Sequence, residues 1–460
     1  MGPGPYQTSR TSTGGLWQYN QKMPTAAFTT LGCKVNQYET QQILESFENA
    51  GFGIVPFDQK ADVYVINTCS VTSIAESKSR YTIRKAARSN PDAKVVVTGC
   101  AAQMSINKSE EMEGAHLVVP NPEKLSSFQK FIAEFPEFAT AQKTEISHAP
   151  AFGGRTRATL KIQDGCNIMC SYCSIPFTRP GMVSRPASEL LDETKRLADL
   201  GYQEVVLTGV LIGAYGPETG SGGPDFEDVV ELLSQKGGMP RVRISSIEMR
   251  QVTPRLIGLI QAGWVVPHLH IPLQCGDSGV LTDMNRPYSK EDYLELCDRL
   301  YDEVPDISLT ADVMVGFPTE TDERFENSLD TIQRAKLLKA HVFRFSPRFG
   351  TPADAYGDPV SPPVKADRAL RLSQASAETG RAHARKFVGR TLRTLVVGKE
   401  TREGLLSGLT DNYLEVAFAG PKSLSGTLCW VRIDEVKDHL AYGEVVSQPS
   451  STRTPISIVE

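Results

Sequence analysis

No apolar run in the chain approaches the roughly 18 residues that a membrane-spanning helix requires, so no membrane anchor of that kind is expected. Cysteine is scarce, nine in 460 residues, which is too few for a disulfide framework. A reducing, cytoplasmic setting fits better, with some cysteines kept as thiolate ligands. The first 22 residues lack a long apolar core, which argues against a secretion signal. They read as a flexible tail, with ordered chain beginning near Met23. An excess of one charge is lacking too. The formal net charge is −5, so the molecule as a whole does not attract a polyanion. No histidine lies between His148 and His268, which leaves little material for a local zinc finger there.

What is present is a globular composition, 40% hydrophobic, in a chain too long for one ordinary core. Residues 26–31, 62–68 and 93–99 are short apolar runs, the first two each followed by a helical pattern. Strand, helix, strand, helix, strand predicts an open α/β domain with a parallel sheet. Cys33, Cys69 and Cys100 each fall just after one of these strands, where open α/β sheets place functional residues. Three converging thiolates suit an iron–sulfur cluster with one iron left open, or zinc if a fourth group completes the tetrahedron. Three unrelated small buried side chains are the plainer alternative. This domain is expected to span 23–140, with a polar linker at 141–155.

Three more cysteines crowd into residues 160–180, LKIQDGCNIMCSYCSIPFTRP. Cys166, Cys170 and Cys173 are spaced C-x₃-C-x₂-C, close enough to wrap one metal centre from a single loop. Tyr172 makes the motif C-x₃-C-x-aromatic-C, and here the sequence resembles the radical S-adenosylmethionine (SAM) enzymes. The resemblance implies a [4Fe–4S] cluster on these three cysteines, whose open iron chelates SAM, with Tyr172 beside the adenine. Reductive cleavage of SAM would then yield a radical that abstracts hydrogen from an unactivated carbon. Counting the strand before these cysteines, the pattern gives about six βα repeats, agreeing with the (β/α)6 partial barrel of that superfamily, here over 156–383.

Several runs, among them LHIPLQCGDSGVLTDMNRPY and ADVMVGFPTETDERF, resemble the methylthiotransferases within that superfamily. The resemblance implies that Gly209 and Gly213 border the cofactor and that Ser246 and Glu248 lie near its methionine and ribose. Gln274 and Asp312 are candidate catalytic residues at strand ends, although Asp312 could equally cap or salt-bridge. His268 and His270 alternate with apolar residues, so at least one is expected to face the barrel interior. The family carries a second cluster on three separated N-terminal cysteines, matched here by Cys33, Cys69 and Cys100. Two [4Fe–4S] clusters and SAM are therefore the implied cofactors, with a one-electron reductant and a sulfur source as further needs.

Beyond residue 384 the pattern turns to short strands separated by glycines, predicting a small β-barrel to about 448, then a tail over 449–460. It resembles the RNA-contacting TRAM domain. Its own charge is balanced, eight Lys/Arg against eight Asp/Glu over 386–446. The preceding stretch, Lys365 to Arg393, holds eight basic residues against Asp367 and Glu378 and is the expected electrostatic footprint. The run TLGCKVNQYETQ (30–41) resembles the branch that modifies N6-threonylcarbamoyladenosine at tRNA position 37. That implies methylthiolation at C2 of this nucleoside in tRNA, while the sequence leaves the oligomeric state, a monomer or more, open. Lys34 and Asn36 within it orient RNA or the cluster, or cap the next helix. Isopentenyladenosine in tRNA, a ribosomal-protein aspartate, and a zinc-stabilised RNA-binding protein are the alternatives. Arg179-Pro180-Gly181, Leu211 and Cys275 depart from the family's usual residues, which leaves the cofactor mouth and substrate detail open.

Overall fold

The computed structural model describes residues 23–139, 156–216, 223–438 and 440–448. The expected tails (1–22 and 449–460) and linker (141–155) lie outside the described residues. The N-terminal unit is a five-stranded parallel sheet in the order Gly53–Val55, Thr25–Thr30, Val63–Thr68, Lys94–Gly99, Leu117–Val118. Every residue of the central strand VYVINT is buried, because helices cover both faces of a parallel sheet. The helix Lys34–Asn49 turns Val35, Ile43 and Phe47 inward. Phe47 meets Phe52 and Phe131 at ring distances of 5.2 and 5.5 Å, anchoring one face of the sheet. The edge strand Gly53–Val55 was not expected; three residues are too few to show a period.

Six parallel strands form the centre: Ala158–Lys161, Val205–Thr208, Val242–Ile244, His268–His270, Ser308–Val315 and Lys339–Arg344. The first three and the last three are continuous ladders. Val266 N–H to Val242 O (3.0 Å) and Ile247 N–H to His270 O (2.9 Å) carry the sheet across the gap between them. Helices pack outside, and Leu160, Leu207, Ile244, Leu269 and Val313 belong to one buried core. This is the (β/α)6 partial barrel, with its carboxyl strand ends toward the N-terminal unit. Reciprocal capping boxes at Asp225/Asp228 and Ser289/Asp292 start two of its helices.

A closed five-stranded barrel follows, ordered Thr391–Glu400, Leu406–Thr410, Glu415–Ala419, Leu440–Val446, Leu428–Lys437. Four strands were legible in sequence. The fifth, LAYGEVV, alternates too weakly to declare itself, yet it closes the cylinder. The helix leading into it, Pro362–Arg385, corrects one expectation. Lys365 is buried and paired with Asp358, Arg368 with Glu320 at 2.8 Å and Asp322 at 2.7 Å, and Arg371 with Glu326 at 2.6 Å. The N-terminal half of this helix uses its cations to bind the partial barrel, so it offers little free positive charge.

Candidate active site

The three strand-end cysteines of the N-terminal unit meet at one place. Cys33 is the N-cap of the helix Lys34–Asn49, Cys69 follows the central strand, and Cys100 begins the helix Cys100–Asn107. All three line one cavity of about 540 Å³ between the units. Gly32 makes this possible. It sits at φ +102°, and a Cβ there would stand 2.8 Å from the Cys69 sulfur. Among the described residues no three Cys, His, Asp or Glu side chains close on a single metal ion. The trio lines a shared cavity instead, and three thiolates along one cavity wall suit a multi-iron cluster. Burial pushes the Cys69 thiol up to about 11 in the chain alone. Cationic iron that binds the thiolate would remove that penalty.

The partial barrel supplies the opposite wall of the cavity: Gly209, Ser246, Gln274 and Asp312, with His268, His270 and His341. A second cavity of about 290 Å³, lined by Tyr172, Cys173, Met314, Phe343 and Phe345, shares Gln274 and Asp312 with the first. Gln274 is the hinge between them. Its backbone lies at φ +66°, rare for a non-glycine, and its side-chain Oε1 is buried without a partner. An orphaned acceptor there fits a bound ligand that donates to it. Asp312 takes the other option left open in sequence as well: its Oδ2 lies 3.3 Å from His270 Nε2. The Thr310 hydroxyl stands between His270 Nδ1 (3.0 Å) and His268 Nε2 (3.1 Å). Burial holds His268 well below its ordinary value, so it is neutral.

The cysteine loop is organised by a residue that sequence reading overlooked. Arg286 donates from Nη1 to the Cys170 sulfur at 3.2 Å, and from Nη2 to Glu248 and to the Tyr288 hydroxyl (2.8 Å). It ties Glu248 to the loop. Burial pushes Cys173 up to about 12, and Cys166 is raised as well. Cys166 and Cys170 line neither cavity. Gly213 packs on Gln251 rather than facing either space, and Cys275 is buried against Ser328. Replacing Arg286 with methionine removes a charge-assisted hydrogen bond to the Cys170 sulfur. We expect about a 10–100-fold loss of activity, with a cluster potential shifted negative in an anaerobic redox titration. An unchanged potential would show that Arg286 only packs.

Two further residues from outside the partial barrel's strands complete the cavity. Arg179 is buried and donates to Asn36 Oδ1 (2.7 Å), to both oxygens of Glu39 (3.0 and 2.9 Å) and to Asp164 (2.7 Å). Asn36, for its part, donates to the carbonyls of Leu31 and Thr68, next to the loops that carry Cys33 and Cys69. So Asn36 braces the cysteine loops, and Arg179 braces Asn36. Tyr413, from a turn of the C-terminal barrel, stacks on His268 with ring centres 4.0 Å apart. That turn is fixed by Arg241 and Arg243, which donate to the carbonyls of Leu409, Thr410 and Asp411 and both pair with Glu204. Burial raises the Glu204 carboxyl, but Arg243 and Arg241 outweigh it and bring it down to about 2. Single arginines and tyrosines look like ordinary surface residues in a linear sequence. Only the Arg179-Pro180 departure hinted at any of this.

A parallel partial barrel with a C-x₃-C-x-aromatic-C loop at its open end defines the class, a radical SAM protein, and residues 160–332 match the Radical SAM superfamily. Residues 25–119 match the Uncharacterized protein family UPF0004. The chain is 39% identical over 426 residues to the threonylcarbamoyladenosine tRNA methylthiotransferase MtaB of Bacillus subtilis (strain 168), covering 89% of this chain and 94% of that one. It is 32% identical to the Thermotoga maritima protein of the same name, over 86% and 92% of the two chains. It is also 32% identical to the tRNA-2-methylthio-N(6)-dimethylallyladenosine synthase of Staphylococcus aureus (strain MRSA252), over 91% and 84%. The chain belongs to the radical SAM methylthiotransferase family.

Proposed function

We propose that this protein inserts a methylthio group at C2 of N6-threonylcarbamoyladenosine at tRNA position 37. The observation that carries this reading is the cavity itself. The separated trio Cys33, Cys69 and Cys100 faces the open end of the partial barrel, a few side chains from Cys173 and Tyr172. One trio for radical generation and one for the sulfur to be transferred is what methylthiolation requires and simple methylation does not. Identity of 39% to a protein named for threonylcarbamoyladenosine, against 32% to one named for the dimethylallyl nucleoside, favours the former substrate.

In this reading Cys166, Cys170 and Cys173 hold one [4Fe–4S] cluster, and Cys33, Cys69 and Cys100 hold the other. Tyr172, Ser246, Glu248, Gln274 and Asp312 contact SAM, with Gly209 leaving room beside it. Together these groups supply one-electron reductive chemistry and a hydrogen-abstracting radical when bound. The chain does the rest. Arg286 holds Glu248 and the Cys170 sulfur in one arrangement. Apolar Met314, Phe343 and Phe345 exclude water from the inner cavity, which protects reactive species. Neutral His268 and Tyr413 offer stacked faces to a nucleobase. Units 23–140, 156–383 and 384–448 act together, since each contributes to the cavity wall. The protein works in the cytoplasm, drawing on a one-electron reductant and a sulfur source. Among the described residues no helix is long and apolar enough to cross a membrane.

The test is nucleoside mass spectrometry of tRNA after anaerobic turnover with SAM and reductant. We expect the threonylcarbamoyladenosine peak to gain one sulfur and one methyl group in place of one hydrogen. Gain of the same mass on isopentenyladenosine alone would transfer the assignment to that nucleoside.

A further inference from the structure

The helix Ser73–Ser89 begins four residues after Cys69, and the two residues before it line the cavities. Its inner face, Ser79, Ile83 and Ala86, is buried on the sheet. Its outer face is unusual. Ile74, Lys78, Tyr81, Lys85 and Arg88 recur at spacings of four, three, four and three, so they form one stripe on a 3.6-residue helix. All five are exposed, Ile74 at 61% and Tyr81 at 57%. No acidic residue stands on this stripe. Glu76 points elsewhere, pairing with Arg80 and Arg348. Among the described residues Lys78, Lys85 and Arg88 take part in no ion pair, and Arg88 donates only to the Arg84 carbonyl.

A solvated face would be expected to mix charges of both signs. A core face would be buried. This stripe is neither: it is cationic, aromatic at its middle, and about 20 Å long by helix rise. Ile74, Lys78 and Tyr81 border a shallow groove with Ser73 and Ser77. The other places where a polyanion might be held are weaker. The C-terminal barrel is charge-balanced, and the first half of the helix before it has its cations paired internally.

We propose that the Ile74–Arg88 stripe docks the unpaired loop of the RNA substrate beside the cavity mouth. Lys78, Lys85 and Arg88 track its phosphates, and Tyr81 stacks on one exposed base. The inference rests on the reading of the protein as a tRNA-modifying enzyme, and it names the surface that reading lacks. Val71 and Thr72, at the near end of the helix, connect the groove to the chamber, so an RNA loop lying on the stripe delivers its neighbouring base inward.

The experiment uses the full chain, anaerobically reconstituted, and a fluorescein-labelled stem-loop RNA spanning position 37, followed by anisotropy across a salt series. Tyr81→Ala is expected to weaken binding about 10-fold. The triple variant Lys78→Gln, Lys85→Gln, Arg88→Gln is expected to lower the slope of log affinity against log salt by about 2. Both variants should cleave SAM without RNA at the wild-type rate and melt within a few degrees of wild type, because the stripe touches neither cysteine trio nor the core. Wild-type affinity and slope in both variants, with the wild-type enzyme still methylthiolating tRNA, would overturn the docking surface alone. A wild-type enzyme that ignores RNA and modifies a protein would overturn the functional reading, and the surface with it.

Discussion

Replacing Cys69 with alanine is expected to eliminate the methylthiolated nucleoside while leaving reductive SAM cleavage in place. The cause is spatial separation. Cys69 lines the larger cavity with Cys33 and Cys100, whereas Cys166, Cys170 and Cys173 sit on a different loop held by Arg286. Loss of one corner thiolate should empty one cluster and spare the other, so anaerobic iron analysis should give about half the wild-type content. Cys100→Ala should behave the same way. Cys429→Ser, in the C-terminal barrel, is the control and should retain all the iron. Product formed at the wild-type rate by Cys69→Ala would remove the two-cluster reading entirely.

The second large effect concerns Glu39. This carboxylate is fully buried and accepts from Lys124 at 2.7 Å, Lys161 at 2.6 Å and Arg179 at 3.0 and 2.9 Å. Lys161 and Arg179 come from the partial barrel's sequence, Lys124 and Glu39 from the N-terminal unit, so the cluster pins one to the other. Glu39→Gln keeps the shape but leaves three buried cations with only Asp164 to oppose them. Breaking such a buried set costs about 3–5 kcal/mol, because the remaining charges are desolvated without compensation.

The pH dependence follows from the direction of the shift. Burial raises the Glu39 carboxyl, but Arg179, Lys124 and Lys161 outweigh it and hold it well below the usual carboxylate range. A group depressed by folding stabilises fully above its unfolded value and loses that contribution as pH falls through the folded one. The stability gap between wild type and Glu39→Gln, read from urea melts, should therefore be constant from pH 8 to 5. It should narrow only below about pH 4. A gap under about 1 kcal/mol at pH 7 would mean that the cations rehydrate and that the junction is weaker than its geometry suggests. Activity should fall alongside stability, since Arg179 also holds Asn36 between the Cys33 and Cys69 loops.

Much of the architecture was readable in one dimension because its signals are local. Alternating βα periods marked the parallel units. The C-x₃-C-x₂-C spacing marked a metal loop, and Cys33, Cys69 and Cys100 each followed an apolar run. Misreadings came where local pattern is ambiguous. Charge clustering between Lys365 and Arg393 looked like a free basic face, yet Lys365 and Arg368 are buried in ion pairs. The run LAYGEVV was too weakly alternating to show that it closes a barrel. Gly213 was placed with Gly209 beside the cofactor by resemblance, and the structure adds that a Cβ there would meet Gln251.

The order of most elements, the place of each cysteine relative to its own strand or loop and the family resemblance were determined by sequence alone, since each is read from local pattern. The tertiary structure alone decided that Cys33, Cys69 and Cys100 share one cavity with Gln274 and Asp312. It alone placed Arg286 on Cys170, Arg179 across the unit boundary and Tyr413 on His268. These pairings join residues more than a hundred positions apart, and no local period or spacing encodes which distant side chain a folded chain will bring alongside.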